Sequence, residues 1–236
     1  MSHFLHLLEN EVHHAALAFM VVVNALRLGW MFRFRSRREK AWPAGKEGAG
    51  IAFSLANIVR PGAMESIRAK PFFYVQFVLF HLGVVTAIAE TFIIPSAPEV
   101  LRVPGVAWTF RMVMAAAFVV GLLRLVRRFR NKAVRFISSA DDYFSLVLVI
   151  LFFGAAFLAV WDDFQRSQTL LLVFFSLTVV FLIYEPFSKI IHYLYYPFTH
   201  FFLGRSLGRR GVYPLRPHPD KDDVHPGTRP ATEEKV

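Results

Sequence analysis

The sequence predicts an all-α fold: an integral membrane bundle of five transmembrane helices, N-terminus outside and C-terminus inside. Three observations predict it. Of 236 residues, 55% are hydrophobic, 26 are phenylalanine and only 19% are charged, a composition of membrane rather than soluble domains. Five apolar runs, at about 13–32, 71–94, 106–126, 143–161 and 169–195, each approach the roughly 20 residues needed to cross about 30 Å of hydrocarbon. Finally, 23 of the 27 Lys and Arg residues fall on one side of the membrane that those runs define.

Within each run the Phe, Leu, Val and Ala content is continuous rather than alternating, so helices fit and barrel strands do not. The first run is followed, not preceded, by basic residues and is long, which argues against a cleaved signal peptide. The segment 33–70 holds nine Lys and Arg, including "RFRSRREK", and its 41–69 portion is expected to carry a short interfacial helix. Residues 96–105, with Pro98 and Pro104, form an outer loop after the second run. The segment 124–135, "RLVRRFRNKAVR", holds six basic residues after the third, and "DDF" at 162–164 lies in an outer loop after the fourth. The fifth run is longer than a span requires, and Pro186 is expected to kink it. Eight more basic residues follow from Lys189 onward. The positive-inside rule makes the basic side cytoplasmic. Residues 1–205 are thus read as one membrane domain and 206–236 as a cytoplasmic tail, its Pro, Asp, Lys and His content predicting disorder.

The net charge of +10 does not point to nucleic acid, because the basic residues sit between apolar runs where the bilayer explains them. The chain has no cysteine, which excludes disulfides, Cys-ligated zinc and iron–sulfur clusters held by this chain. The "DDF" carboxylates have no third ligand nearby and read as a solvated loop. Few charges lie within the spans and no pair of broken helices appears, which disfavours a small transporter.

Of nine histidines, His3, His6, His13, His14, His218 and His225 read as solvated or interfacial, and His200 as interfacial among "FTHFF". His81 and His192 are different. An ionisable side chain inside a span is costly and usually faces a cavity, a partner or a cofactor. Span two runs inward to outward and span five outward to inward, so both histidines fall in the cytoplasmic half. Two neutral imidazoles on facing helices can supply both axial ligands of a haem. Taken singly, His81 also fits a hydrogen-bonded interior histidine, and His192 an interfacial residue beside Tyr193, Tyr195 and Tyr196.

"FHLG" in span two and "EPFSKIIHYLYYPF" closing span five resemble the cytochrome b (gamma) subunit of membrane-bound respiratory nitrate reductase and the related membrane subunits of heterodisulfide-reductase-like and sulfur-metabolism complexes. "ADDYFSLVLVILFFGAAFL" in span four is similar too, so the resemblance covers roughly residues 10–205. It implies an inner-membrane, multi-pass haem b subunit that exchanges electrons between quinone or quinol and a cytoplasmic iron–sulfur or flavin oxidoreductase. In that family a second, outer haem is held by a histidine ten residues after the one in span two and another eighteen residues before the one in span five. Those positions are Thr91 and Phe174 here. The departure implies one inner haem b, held by His81 and His192, with the outer site lost.

Arg27, Arg124 and Lys189 lie near the inner boundary and are candidate contacts for haem propionates, against the default of snorkelling to the interface. Glu185 shares a helix face with His192 as a proton relay, a positioning partner or a carboxylate paired with a base on another helix. Glu90 is expected to reach water near the outer end. Gly83 and Gly154 are small enough to admit either a macrocycle or a neighbouring helix. The competing function is a haem-free membrane anchor or assembly subunit of such a complex.

Overall fold

The computed structural model describes residues 3–33, 42–60, 69–161 and 168–214, and every regular element among them is helical. In chain order these are α1 (His3–Arg33, with a π-helical turn at Leu7–Val12), α2 (Glu47–Val59), α3 (Pro71–Ser96), α4 (Pro104–Arg130), α5 (Lys132–Phe136), α6 (Ala140–Trp161), α7 (Gln168–Tyr184) and α8 (His192–Arg209). Five stretches are long and apolar enough to cross a membrane: His3–Arg33, Pro71–Ser96, Pro104–Arg130, Ala140–Val160 and Gln168–Phe187. The "DDF" loop, most of the "RFRSRREK" segment, His218 and His225 lie outside the described residues.

Local chemistry sets the boundaries. Pro71 and Pro104 open α3 and α4 at the first helical position, where the missing N–H is not needed. Asn131 ends α4 and caps α5, its Oδ1 accepting from the N–H groups of Ala133 and Val134 at 3.0 and 3.1 Å. The expected kink at Pro186 is a full break. After α7 the chain makes a 3₁₀ turn over Glu185–Phe187, extends at Ser188 (φ −105°, ψ 175°), turns again over Lys189–Ile191 and resumes as α8 at His192. Proline removes a backbone donor, and the Ser188 hydroxyl stitches the gap: it donates to the Glu185 carbonyl at 3.0 Å and accepts from the Ile190 N–H at 3.1 Å. The fifth span therefore ends at Phe187 rather than 195, and α8 continues to Arg209, past the boundary expected at 205.

The chain divides into two compact units. The first contains α1, α3 to α7 and the start of α8 as far as Leu194. In it α4 packs against α3 and α6, α7 packs against α6 and α1, and α3 also touches α6; no comparable seam joins α3 to α7. The core is built of Ala87, Met114, Ala117, Phe152, Phe153, Ala156, Phe174 and Phe175. Gly83 belongs to the α3–α4 seam, because a Cβ there would overlap the Ala117 Cβ and come within 3.2 Å of the Phe153 ring. Helix packing, not space for a macrocycle, therefore explains this glycine, as small residues do at membrane-helix seams generally. Gly154 is looser, with the Phe118 ring 3.3 Å from where its Cβ would lie.

The second unit joins α2 to α8 from Tyr195 onward, in antiparallel register. A helix falls in 41–69 as expected. Gly50 faces the backbones of Gly204 and Gly208 with no room for a side chain. The N–H groups of Ala44 and Gly45 donate to the Arg209 carbonyl at 2.9 and 3.0 Å. Glu47 accepts from Arg209 Nη1 at 3.1 Å and Arg205 Nε at 3.2 Å. These bonds, that from Arg209 foremost, hold its pKa below the ordinary carboxylate value.

Gly83→Val should lower the thermal unfolding temperature of the detergent-purified protein, an overpacking cost of about 1–3 kcal/mol. Ala117→Gly in the same chain should recover part of the loss, which a change merely in helix propensity would not. A lowered folded-state pKa stabilises above the unfolded value and is lost as pH falls through the folded one. Amide protection across 47–59, corrected for intrinsic exchange, should therefore decline below about pH 4 in the wild type, and Glu47→Gln should remove that dependence.

Candidate functional site

His81 lies on α3, and His192 is the first residue of α8, just after the Ser188 break. The structure brings them together: their ring centres are 6.2 Å apart with the planes at 90°. Each ring is fixed by its own backbone. His81 Nδ1 bonds the Phe77 carbonyl at 2.7 Å, and His192 Nδ1 bonds the Lys189 carbonyl at 3.0 Å. A carbonyl can only accept, so each Nδ1 carries the proton and each Nε2 keeps its lone pair. That is the tautomer a metal ligand needs, held by the kind of backbone contact that orients ligating histidines. The proline-induced break matters here. In the 3₁₀ turn the Lys189 carbonyl accepts both the backbone N–H and the ring Nδ1 of His192.

His81 is half-buried and His192 exposed. The Phe77 ring centre lies 4.0 Å from that of His81, and the Phe80 ring centre 6.1 Å.

The three candidate cations part company. Arg124 stacks its guanidinium 4.8 Å over the Phe80 ring, next to His81. Arg27 lies 5.5 Å over the Phe187 ring, within electrostatic reach of Glu185. Lys189 is committed elsewhere: its Nζ donates to Asp142 Oδ2 at 2.7 Å and Ser139 Oγ at 3.0 Å, and its backbone N–H to Asp141 Oδ2 at 3.0 Å. Asp141 also accepts from the Tyr184 hydroxyl, so α6 and α7 are tied at this end by a network of acids, lysine and tyrosine.

The two positions at which the resemblance expects further histidines carry none. Phe174 is fully buried and stacks on Phe152 with ring centres 5.5 Å apart and planes 1° from parallel; Phe152 stacks in turn on Phe181 at 5.4 Å. Thr91 is buried and spends its hydroxyl on the Ile88 carbonyl at 2.7 Å.

Three expectations about polar residues are corrected. His13 is not solvated: it is 1% exposed, its ring 5.7 Å from Phe92 of α3 and 5.9 Å from Phe175 of α7. His200 is not at an interface with water but buried, its Nδ1 2.9 Å from the Ser54 carbonyl and 3.1 Å from the Ser54 hydroxyl. Glu90 does not reach water: it is 0% exposed and neither carboxylate oxygen has a hydrogen-bond partner among the described residues. The reason is helical phase. Gly83, Ala87, Glu90 and Ile94 recur at helix spacing on the face of α3 turned to the core.

Glu185 is buried and its Oε2 accepts from Asn24 Nδ2 of α1 at 3.1 Å; Asn24 Nδ2 also lies 3.2 Å from the Tyr193 hydroxyl. Sequence reasoning passed over Asn24. The signal was present, since an amide in the middle of an apolar span needs a partner. No family model, curated protein or solved structure matches the chain.

Proposed function

We propose that this chain is a haem b membrane subunit carrying electrons between the quinone pool and a cytoplasmic oxidoreductase partner. The observation that carries the reading is the His81–His192 pair. Their ring centres are 6.2 Å apart, each Nδ1 is bonded to a carbonyl, and the two Nε2 atoms would be the donors to a metal. The donor set is one that would hold a bis-imidazole iron porphyrin. When bound, haem b supplies one-electron transfer. His81 and His192 would hold the group, and Arg124 is the propionate contact that the side-chain arrangement favours, since Lys189 already serves Asp142.

One haem rather than two is supported by Phe174, whose stack with Phe152 and Phe181 occupies the outer half with aromatic rings. The sequence lacks cysteine, so iron–sulfur carriers belong to the partner. The distribution of Lys and Arg supports an N-out, C-in orientation in the inner (cytoplasmic) membrane. The resemblance to nitrate-reductase gamma and heterodisulfide-reductase-like subunits supplies the partner class. A haem-free anchor is the second reading, favoured by one observation: the Phe77 ring lies against His81, where a bound macrocycle would require it to turn aside.

The reduced-minus-oxidised visible spectrum of the purified protein, with haem counted per chain, decides between them. One haem b is expected, and it should vanish in His81→Ala and in His192→Ala while circular dichroism shows the helices intact. A colourless wild-type protein establishes the anchor; two haems would show that the outer half holds a site after all.

A further inference from the structure

At the Arg-rich end of α4 a cavity of about 350 Å³ opens between four helices. Its walls are Phe73 and Gln76 of α3, Arg124, Arg127 and Arg128 of α4, Val134 of α5 and Leu146 of α6. Three guanidiniums at i, i+3 and i+4 stand on one face of α4, and like charges at that spacing repel. Little among the described residues offsets them. Arg127 lies 4.2 Å over the Phe73 ring and Arg124 4.8 Å over Phe80, each contact a ring face rather than an anion. Arg128 donates to the Ser138 hydroxyl at 2.7 Å and is 3.7 Å from Asp142, but that carboxylate is already bonded to Lys189 at 2.7 Å. Gln76 is buried beside them and adds amide donors.

We infer that this cavity binds the phosphate of an anionic phospholipid headgroup. Guanidiniums bind phosphate through paired N–H donors in a fixed plane, and the ring faces of Phe73 and Phe80 hold two of them in place. The depth is that of headgroups: α3 begins at Pro71 and α4 ends at Arg130, so the cavity lies where two membrane-length helices leave the hydrocarbon. Exposed Phe72, Val126 and Phe129 flank it with apolar surface on which acyl chains can lie. The basic ends of spans attract anionic lipid in general. Here the half-enclosed cavity adds a specific seat for one molecule. The site uses neither histidine; it shares Arg124 with the proposed propionate contact, while Arg127 and Arg128 belong to the cavity alone.

The test uses the full chain, purified in mild detergent and stripped of lipid, then returned to phosphatidylglycerol or phosphatidylcholine and examined by native mass spectrometry. One phosphatidylglycerol per chain should be retained at activation energies that remove phosphatidylcholine. Arg127→Gln with Arg128→Gln should weaken retention by about tenfold or more, the scale of losing one or two charge-assisted bonds. Arg130→Gln with Arg135→Gln, which removes the same charge outside the cavity, should leave it near wild type. Equal loss in both double variants, or equal retention of the two lipids, overturns the proposal. Displacement of the lipid by millimolar inorganic phosphate makes the seat a free-phosphate site and overturns the lipid assignment. If the cavity variant does not fold, the comparison of the two lipids on the wild-type chain still decides. Haem content, read separately from the visible spectrum, is expected to be the same in both double variants.

Discussion

A polar side chain placed among apolar helices must be met by another group, and most of what organises this molecule follows from how each such demand is answered. The backbone of a span satisfies itself. Side chains cannot, unless the helix breaks or a neighbour reaches across. His81 and His192 take their partners from nearby carbonyls, one within a helical turn and one from the 3₁₀ turn that Pro186 and Ser188 create. Asn24 and Glu185 answer each other across α1 and the end of α7. Asp141 and Asp142 gather Tyr184, Lys189, Ser139 and Arg128 at the basic end of the bundle. Glu90, on the core face of α3, has neither carboxylate oxygen partnered among the described residues.

Much of this was legible in the sequence because it rests on period and charge. Five apolar runs and their basic flanks placed the five spans to within a few residues, except where local backbone chemistry intervened. Span one begins earlier than its hydropathy suggested, because His3 to Val12 continues the helix through a π turn despite two histidines and two glutamates. Span five stops sooner, because proline ended the helix where it was expected only to bend it. Pairing of His81 with His192 followed from the opposite directions of the two spans and needed no tertiary information. What sequence did not yield were the partners of single polar groups. Glu90 and His13 were judged by distance from the membrane edge, whereas burial is decided by angle around the helix axis. Asn24 could have been found by asking what an amide does in hydrocarbon; that its answer is Glu185 depends on which helices are neighbours.

The small residues show the same division between what composition reveals and what packing decides. Gly83 read equally well as room for a cofactor or as a helix seam, and its position against Ala117 and Phe153 makes it a seam. The histidine two residues earlier lies on the opposite side of the same helix, so the tight face toward α4 and α6 does not carry the imidazole.

The attachment of α1 has a mechanical consequence. Near one end His13 is wedged between aromatic rings of α3 and α7; toward the other, Asn24 is bonded to Glu185. Between and beyond these clamps Val21, Val22 and Leu26 face outward. A rod fastened at two heights cannot lean independently of what it is fastened to. When the surrounding bilayer thins or thickens, this helix must carry the rest of the bundle with it, so lipid length acts on the molecule as a whole and not on its outermost member alone.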